Sequence, residues 1–238
     1  MLVPISWLKD FVNIKIPLKQ LMWKMTEAGL TCESYKNIDG EIVLDVEVTP
    51  NRPDWMSMLG IAREIAAITK SKLKHLTPKL KLDKPNSSLK IKIKPNYALV
   101  PRIASVIIKN VKVKPSPQWM QARIRQIGLR PINNLVDITN FCLWIYGNSL
   151  HVFDYDKIRD HQMFVESTKG GEAFRSLDGV DYLLPKDAII IKDSSRIIDL
   201  VPLKGGENTA VSGQTKNVLL HSIICSPTAV RRVSHAIK

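Results

Sequence analysis

Ser116-Pro117-Gln118-Trp119-Met120-Gln121-Ala122-Arg123-Ile124-Arg125-Gln126-Ile127-Gly128 reads as one complete helix with both ends marked. Serine caps the first turn, the fixed φ of proline suits the position after the cap, and glycine supplies the residue that stops the helix. Trp119, Met120, Arg123, Ile124 and Ile127 fall between those marks at helical spacing. A further helix is predicted over Leu135 to Tyr146. Beyond it the chain turns β-rich, with strand-like runs at Met163 to Ser167, Phe174 to Leu177, Val180 to Leu184, Ala188 to Lys192, Ile197 to Val201 and Val218 to Ile224. Asp178-Gly179 joins the second and third runs as a tight hairpin turn, and Ser226-Pro227 starts a last helix.

Upstream of Ser116 the pattern is different. Ser6 is expected to cap a short helix carrying Trp7, Leu8, Phe11 and Val12, and a second helix runs from Pro17 through Leu18, Leu21, Met22 and Met25 to Gly29. Ile42, Leu44, Val46 and Val48 alternate with Asp45 and Glu47 as a half-buried strand that enters the turn Thr49-Pro50-Asn51-Arg52-Pro53-Asp54. Asp54 is the expected cap of a helix that sets Met58, Leu59, Ala62, Ile65 and Ala66 on one face. A second region begins near Leu89 with two strand-like runs, the later one from Ile103 to Val113. The predicted fold class is α+β. Residues 1–75 form a small N-terminal α+β domain, 76–95 a Lys-rich linker and first strand, and 96–238 a β-rich α+β domain.

The 238 residues are 45% hydrophobic and 24% charged, enough for one or two packed domains and unlike a disordered or collagenous chain. No apolar run is long enough for a membrane span and the N-terminus lacks a basic leader, so no membrane partner, no signal peptide and a cytoplasmic location are expected. Cys32, Cys142 and Cys225 are too far apart for a zinc site or a disulfide framework and are expected as reduced, mostly buried thiols. No metal site is predicted. The net charge of +13 favours a polyanionic partner. Nine lysines between residues 70 and 94 face the single acid Asp83, so +8 of that charge lies in about a tenth of the chain. Lys90, Lys92 and Lys94 alternate with Leu89, Ile91 and Ile93, which suits RNA backbone contact and equally suits an edge strand guarded by lysines.

No nucleotide-binding glycine loop, nucleophile elbow or zinc-protease motif occurs, and Gly205-Gly206 is too short to cradle a phosphate alone. Polar groups concentrate in Arg130-Pro131-Ile132-Asn133-Asn134, Asp137, Thr139-Asn140 and His151-Val152-Phe153-Asp154. Such a concentration forms either a satisfied hydrogen-bond network or a ligand cleft.

Five blocks in order carry a resemblance: Thr49 to Asp54; Gly60-Ile61-Ala62-Arg63-Glu64-Ile65-Ala66-Ala67; Ser116-Pro117-Gln118-Trp119; Gly128 to Asn140; and His151 to Asp154. Together they resemble the N-terminal part of the bacterial phenylalanyl-tRNA synthetase β subunit. The resemblance implies a first domain followed by an editing-type domain, without the OB-fold tRNA-binding insertion that the family usually carries near Asn37-Ile38-Asp39-Gly40. It also implies that the family's later modules lie beyond Lys238. Activation of phenylalanine would belong to the α subunit with ATP and Mg2+, so no catalytic residue for aminoacylation and no cofactor is expected in this chain. The implied partners are tRNA(Phe) and the α subunit, in an assembly of two α and two β chains. A free-standing aminoacyl-tRNA deacylase and a non-catalytic RNA-binding module are the competing functions.

The family's editing-type domain hydrolyses tyrosine wrongly attached to the phenylalanine tRNA. A pocket shaped for one side chain rejects an isostere with an added hydroxyl by only about a hundredfold, so a second site must recognise that hydroxyl. The resemblance carries cleft roles to Thr139, Asn140 and His151, and a close-approach role to Gly205. Three positions depart from it. Val201 and Pro202 stand where the family has alanine and glycine, adding bulk and removing an N–H, and His221 stands where the family has the glutamate that reads tyrosine. Ser149 also replaces a usual proline. The cleft formed by Thr139, Asn140, His151, Val201, Pro202, Gly205 and His221 is therefore expected to be a degenerate editing pocket.

Overall fold

The computed structural model describes residues 1–74 and 89–237. The chain divides into two units: Met1–Leu82 with Pro115–Gly147, and Asp83–Lys114 with Asn148–Lys238.

The first unit contains strand β1 (Leu2–Pro4), helices α1 (Ile5–Leu8) and α2 (Leu18–Glu27), strands β2 (Ser34–Ile38) and β3 (Glu41–Asp45), and helices α3 (Met58–Ile68), α4 (Gln118–Gln126) and α5 (Asn134–Tyr146). Its sheet has the order β1-β3-β2 and is antiparallel throughout. β2 and β3 are joined by Asp39-Gly40, both at positive φ, with Ile38 opposite Glu41. A two-residue turn of that geometry closes a hairpin directly. Helices α4 and α5, which the sequence groups with 96–238, lie in this unit because Met120, Ile124, Ile127 and Ile145 share one core with Trp7, Leu8, Met58, Ile61 and Ile65.

Several local expectations are corrected. Ser6 lies inside α1 and its N–H donates to Glu41 Oε1 at 2.7 Å, so Pro4, not Ser6, precedes the helix. Asp54 belongs to a short 3-10 turn over Pro53–Trp55, and the cap of α3 is Ser57, whose Oγ accepts from the Gly60 N–H at 2.9 Å. Asp54 instead accepts two bonds from Arg52, whose guanidinium lies 3.6 Å from the centre of the Trp55 ring and also donates to Glu64 at 3.0 Å. Gly60 brings α3 against the Asp54 carbonyl: a Cβ there would stand 1.7 Å from that oxygen. The apolar face of α4 is narrower than its sequence suggests, since Trp119 is 55% exposed while Met120 and Ile124 are buried. Likewise Ile42 faces solvent, and Val43 and Leu44 fill the core together. Ser116 does not cap α4, because its Oγ donates to Asp137.

The second unit contains β4 (Lys92–Lys94), β5 (Arg102–Ile108), β6 (Leu150–Asp154), β7 (Gln162–Ser167), β8 (Ala173–Arg175), β9 (Asp181–Leu183), β10 (Ile189–Lys192), β11 (Ile197–Leu200), β12 (Lys204–Gly205), β13 (Val218–Ile224) and helix α6 (Pro227–Ala236). One sheet has the order β12-β11-β10-β7-β4, a second β5-β13-β6, and β8 pairs with β9 across the expected hairpin turn. β4 runs parallel to β7 at the edge, and its lysine side chains are exposed. Lys79, Lys81 and Lys84 of the lysine-rich segment lie outside the described residues. Phe153, Leu219 and Ile223 of the second sheet share a core with Val165, Ile189, Ile191, Ile198 and Val201 of the first sheet and its adjoining turn. Ile190 and Leu200 point the other way, to a smaller core with Phe174, Leu184 and Val233.

Candidate functional site

Strand register assembles the candidate site in the second unit. On β13, His221 is paired with Ser105 of β5 and with His151 of β6, so the three side chains lie in one row on one face of the sheet. The next row on that face is Leu219, Ile107 and Phe153, which packs into the core between the sheets. The Phe153 ring meets both imidazoles edge-on, with centroids 4.4 Å from His151 and 5.9 Å from His221. His221 is 2% exposed. Its Nδ1 lies 3.1 Å from Ser105 Oγ, and its Nε2 is buried without a partner. Burial pushes the His151 pKa down to about 4, and burial with the neighbouring His151 does the same for His221. Both rings are neutral bases at physiological pH.

Gly205 brings the other sheet to this row. A Cβ there would lie 2.3 Å from His151 Cε1, 2.9 Å from His151 Nε2 and 2.8 Å from Leu177 Cδ1, so only glycine fits without displacing them. The Leu177 N–H donates to the Gly205 carbonyl at 2.9 Å, which anchors the strand at that point. Val201 is buried in the core between the sheets, whereas Pro202 is exposed in the turn that leads from β11 to β12. The Val201-Pro202 peptide is cis. His151, His221 and Gly205 are thus brought together as the resemblance implies. Thr139 and Asn140 stand on α5 in the first unit, where the Thr139 hydroxyl donates to the Val136 carbonyl at 2.7 Å.

The remaining polar residues of the sequence cluster satisfy one another. Buried Asp137 accepts from Ser116 Oγ at 2.5 Å and from the Ile132 N–H at 2.9 Å, and Asn133 caps α5 by accepting from Leu135 and Val136. Asp154 accepts from Thr215 Oγ1 at 2.7 Å. These carboxylates hold the backbone; they do not face the histidine row. A cleft of about 510 Å³ in the second unit is lined by Glu166, Lys169, Glu172, Lys192 and Arg196 with Ile190 at its floor, and so opens on the smaller-core side of the five-stranded sheet. Sequence reasoning missed Ser105 and Asp199, whose positions depend on strand register. Among the described residues no group of three or more His, Cys, Asp or Glu side chains is placed to hold a metal, and no helix is long and apolar enough to cross a membrane. Cys32 is buried, while Cys142 and Cys225 are half-buried free thiols.

A family model described as the B3/4 domain matches residues 99–238. The chain belongs to the B3/4 domain family. The B3/4 match spans both the histidine row and helices α4 and α5. A phenylalanine–tRNA ligase beta subunit from Carboxydothermus hydrogenoformans is 41% identical over 194 residues, covering 82% of this chain and 24% of the relative. The same-named subunit of Fusobacterium nucleatum is 36% identical over 209 residues, covering 87% and 26%. The chain therefore spans about a quarter of the length of these curated relatives. A solved N-terminal fragment of the phenylalanyl-tRNA synthetase beta-subunit from Pyrococcus horikoshii aligns over 98% of this chain and 74% of its own, at 16% identity and a TM-score of 0.48.

Proposed function

We propose that this chain is the N-terminal portion of a phenylalanine–tRNA ligase β subunit, supporting aminoacylation of tRNA(Phe) in the cytoplasm beside an α subunit, with an editing-type unit that hydrolyses misacylated esters weakly. The observation that carries the editing reading is the contact of Gly205 with His151 beside His221, because it joins three cleft residues carried over from the family in one buried row. A neutral His151 can orient water or the ester end of a tRNA. Weak hydrolysis follows from the bulk of Val201 and from the lost N–H of Pro202, since an ester that is held out of line by even a small displacement reacts much more slowly. ATP and Mg2+ belong, on this reading, to the α subunit in an assembly of two α and two β chains.

Contact with RNA falls to Lys90, Lys92 and Lys94. Their exposure along one sheet edge supports backbone recognition, which needs charge and no base-specific geometry. The test is tRNA(Phe) affinity of the purified chain as a function of salt, compared with a variant carrying Lys90→Gln, Lys92→Gln and Lys94→Gln. Each lost phosphate contact should reduce the magnitude of the log-log slope by roughly 0.7 to 0.9. An unchanged slope, with more self-association in the variant, would leave these lysines the edge-guarding role alone.

A further inference from the structure

The second unit holds a buried carboxyl that the reading above does not use. Asp199, on β11, is 5% exposed, and among the described residues it makes no hydrogen bond and no ion pair. Register fixes its direction. Asp199 is paired with Gly205 on one side and with Ile191 on the other, and antiparallel partners send their side chains to the same face. Ile191 belongs to the core between the two sheets, and the Cβ direction of Gly205 runs into the His151 ring. Asp199 therefore enters the same interior as the histidine row. From the facing sheet, His221 Nε2 enters it too, buried and without a partner.

Two polar groups left unpaired in one apolar interior are unstable unless something satisfies them, and natural cores pair nearly all such groups. We propose that Asp199 and His221 form the polar end of a binding site for a neutral hydroxyl carried on an aromatic side chain. The inference rests on the reading of this unit as one that receives aminoacyl esters. Around the two groups stand Phe153, Val165, Ile191 and Leu219, an apolar lining suited to a ring. Burial pushes the Asp199 pKa up to about 8 and burial with the neighbouring His151 holds His221 near 4, so both are uncharged at neutral pH. A protonated carboxyl donates one hydrogen bond and accepts others, and an imidazole nitrogen does one or the other. A phenol, itself donor and acceptor, satisfies both; an ammonium or carboxylate would enter as an unpaired charge. Ser105, at His221 Nδ1, positions the ring by engaging its other nitrogen.

The test uses the purified chain at pH 7 with L-tyrosinamide and L-phenylalaninamide, which carry the side chains of the two esters without a free carboxylate. Binding is followed by amide shifts and by the His221 ring nitrogen signals. Tyrosinamide should bind about tenfold more tightly, the value of one good hydrogen bond, and should alone shift His221 Nε2. Asp199→Leu should abolish that preference with phenylalaninamide affinity unchanged, and should raise the melting temperature because it removes an unpaired buried carboxyl. If Asp199→Leu does not fold, Asp199→Asn serves, with a narrowed preference expected. A preference that survives either Asp199 change overturns this inference and leaves the editing-type reading standing. Failure of the wild-type chain to bind either amide overturns both.

Discussion

Protonation of three buried side chains sets how the molecule responds to pH. His151 and His221 are pushed down to about 4, below the ~6.5 of an exposed histidine, so the unfolded chain binds protons there first. Their contribution to stability is fully present above that value and is lost as pH falls toward 4. Asp199 has the opposite sign, because its pKa is raised to about 8 and the unfolded carboxyl ionises near 3.9. Its contribution is present at low pH and is lost as pH rises to 8. Two histidines against one carboxyl give a net rise of roughly 1.4 kcal/mol per pH unit up to about pH 6.5, then a fall of similar slope. Urea unfolding should therefore show its highest midpoint near pH 6.5, and Asp199→Asn should remove the decline above it. A midpoint that climbs steadily to pH 8 in the wild type would contradict the burial of an unpaired carboxyl. His151 and Gly205 were legible in the sequence because contiguous motifs carry them. Asp199 was not, because its partners are 8 and 6 positions away along the chain and its direction depends on which strand lies beside it.

At the scale of elements, helix entry and strand edge separate local signals from tertiary ones. Asp54 has the chemistry of a cap, yet Arg52 and Trp55 hold it in the preceding turn, and Ser57 closes α3 three residues later. Ser57→Ala should destabilise the chain by about 1 kcal/mol, the usual value of a cap, while Asp54→Ala, an exposed ion-pair partner, should cost less. The reverse order in thermal melts would restore Asp54 as the cap. Period and punctuation made α2, α3, α4, α5, β10 and β13 legible, since Pro17, Pro117, Gly128 and Gly147 mark ends directly. β6 and β12 were not read as strands. β6 looks like a polar motif, and β12 is two residues long with its pairing decided by β11. The lysine alternation on β4 read correctly as a strand, and its edge position leaves both charge and unpaired backbone on the same side.

For the whole molecule, a sequence division into consecutive domains gives way to two interleaved units, because α4 and α5 complete a core begun by Trp7 and Leu8 more than a hundred residues earlier. Helical periodicity states that a face needs a partner and does not say which partner. The hairpin at Asp39-Gly40 shows how the first unit closes where the family's OB-fold insertion would stand: β2 turns into β3 with two residues. The account rests most heavily on the second unit as an editing-type unit with an altered pocket. It is tested most directly by a deacylation time course with preformed tyrosyl- and phenylalanyl-tRNA(Phe). Variants for comparison are His151→Ala and the triple change Val201→Ala, Pro202→Gly, His221→Glu, made with and without His151→Ala. Slow wild-type hydrolysis is expected, with the triple change raising tyrosyl-selective hydrolysis by a factor on the order of 10² and His151→Ala reducing that gain. Rapid wild-type hydrolysis selective for the tyrosyl ester, or a triple variant that gains nothing, would contradict it.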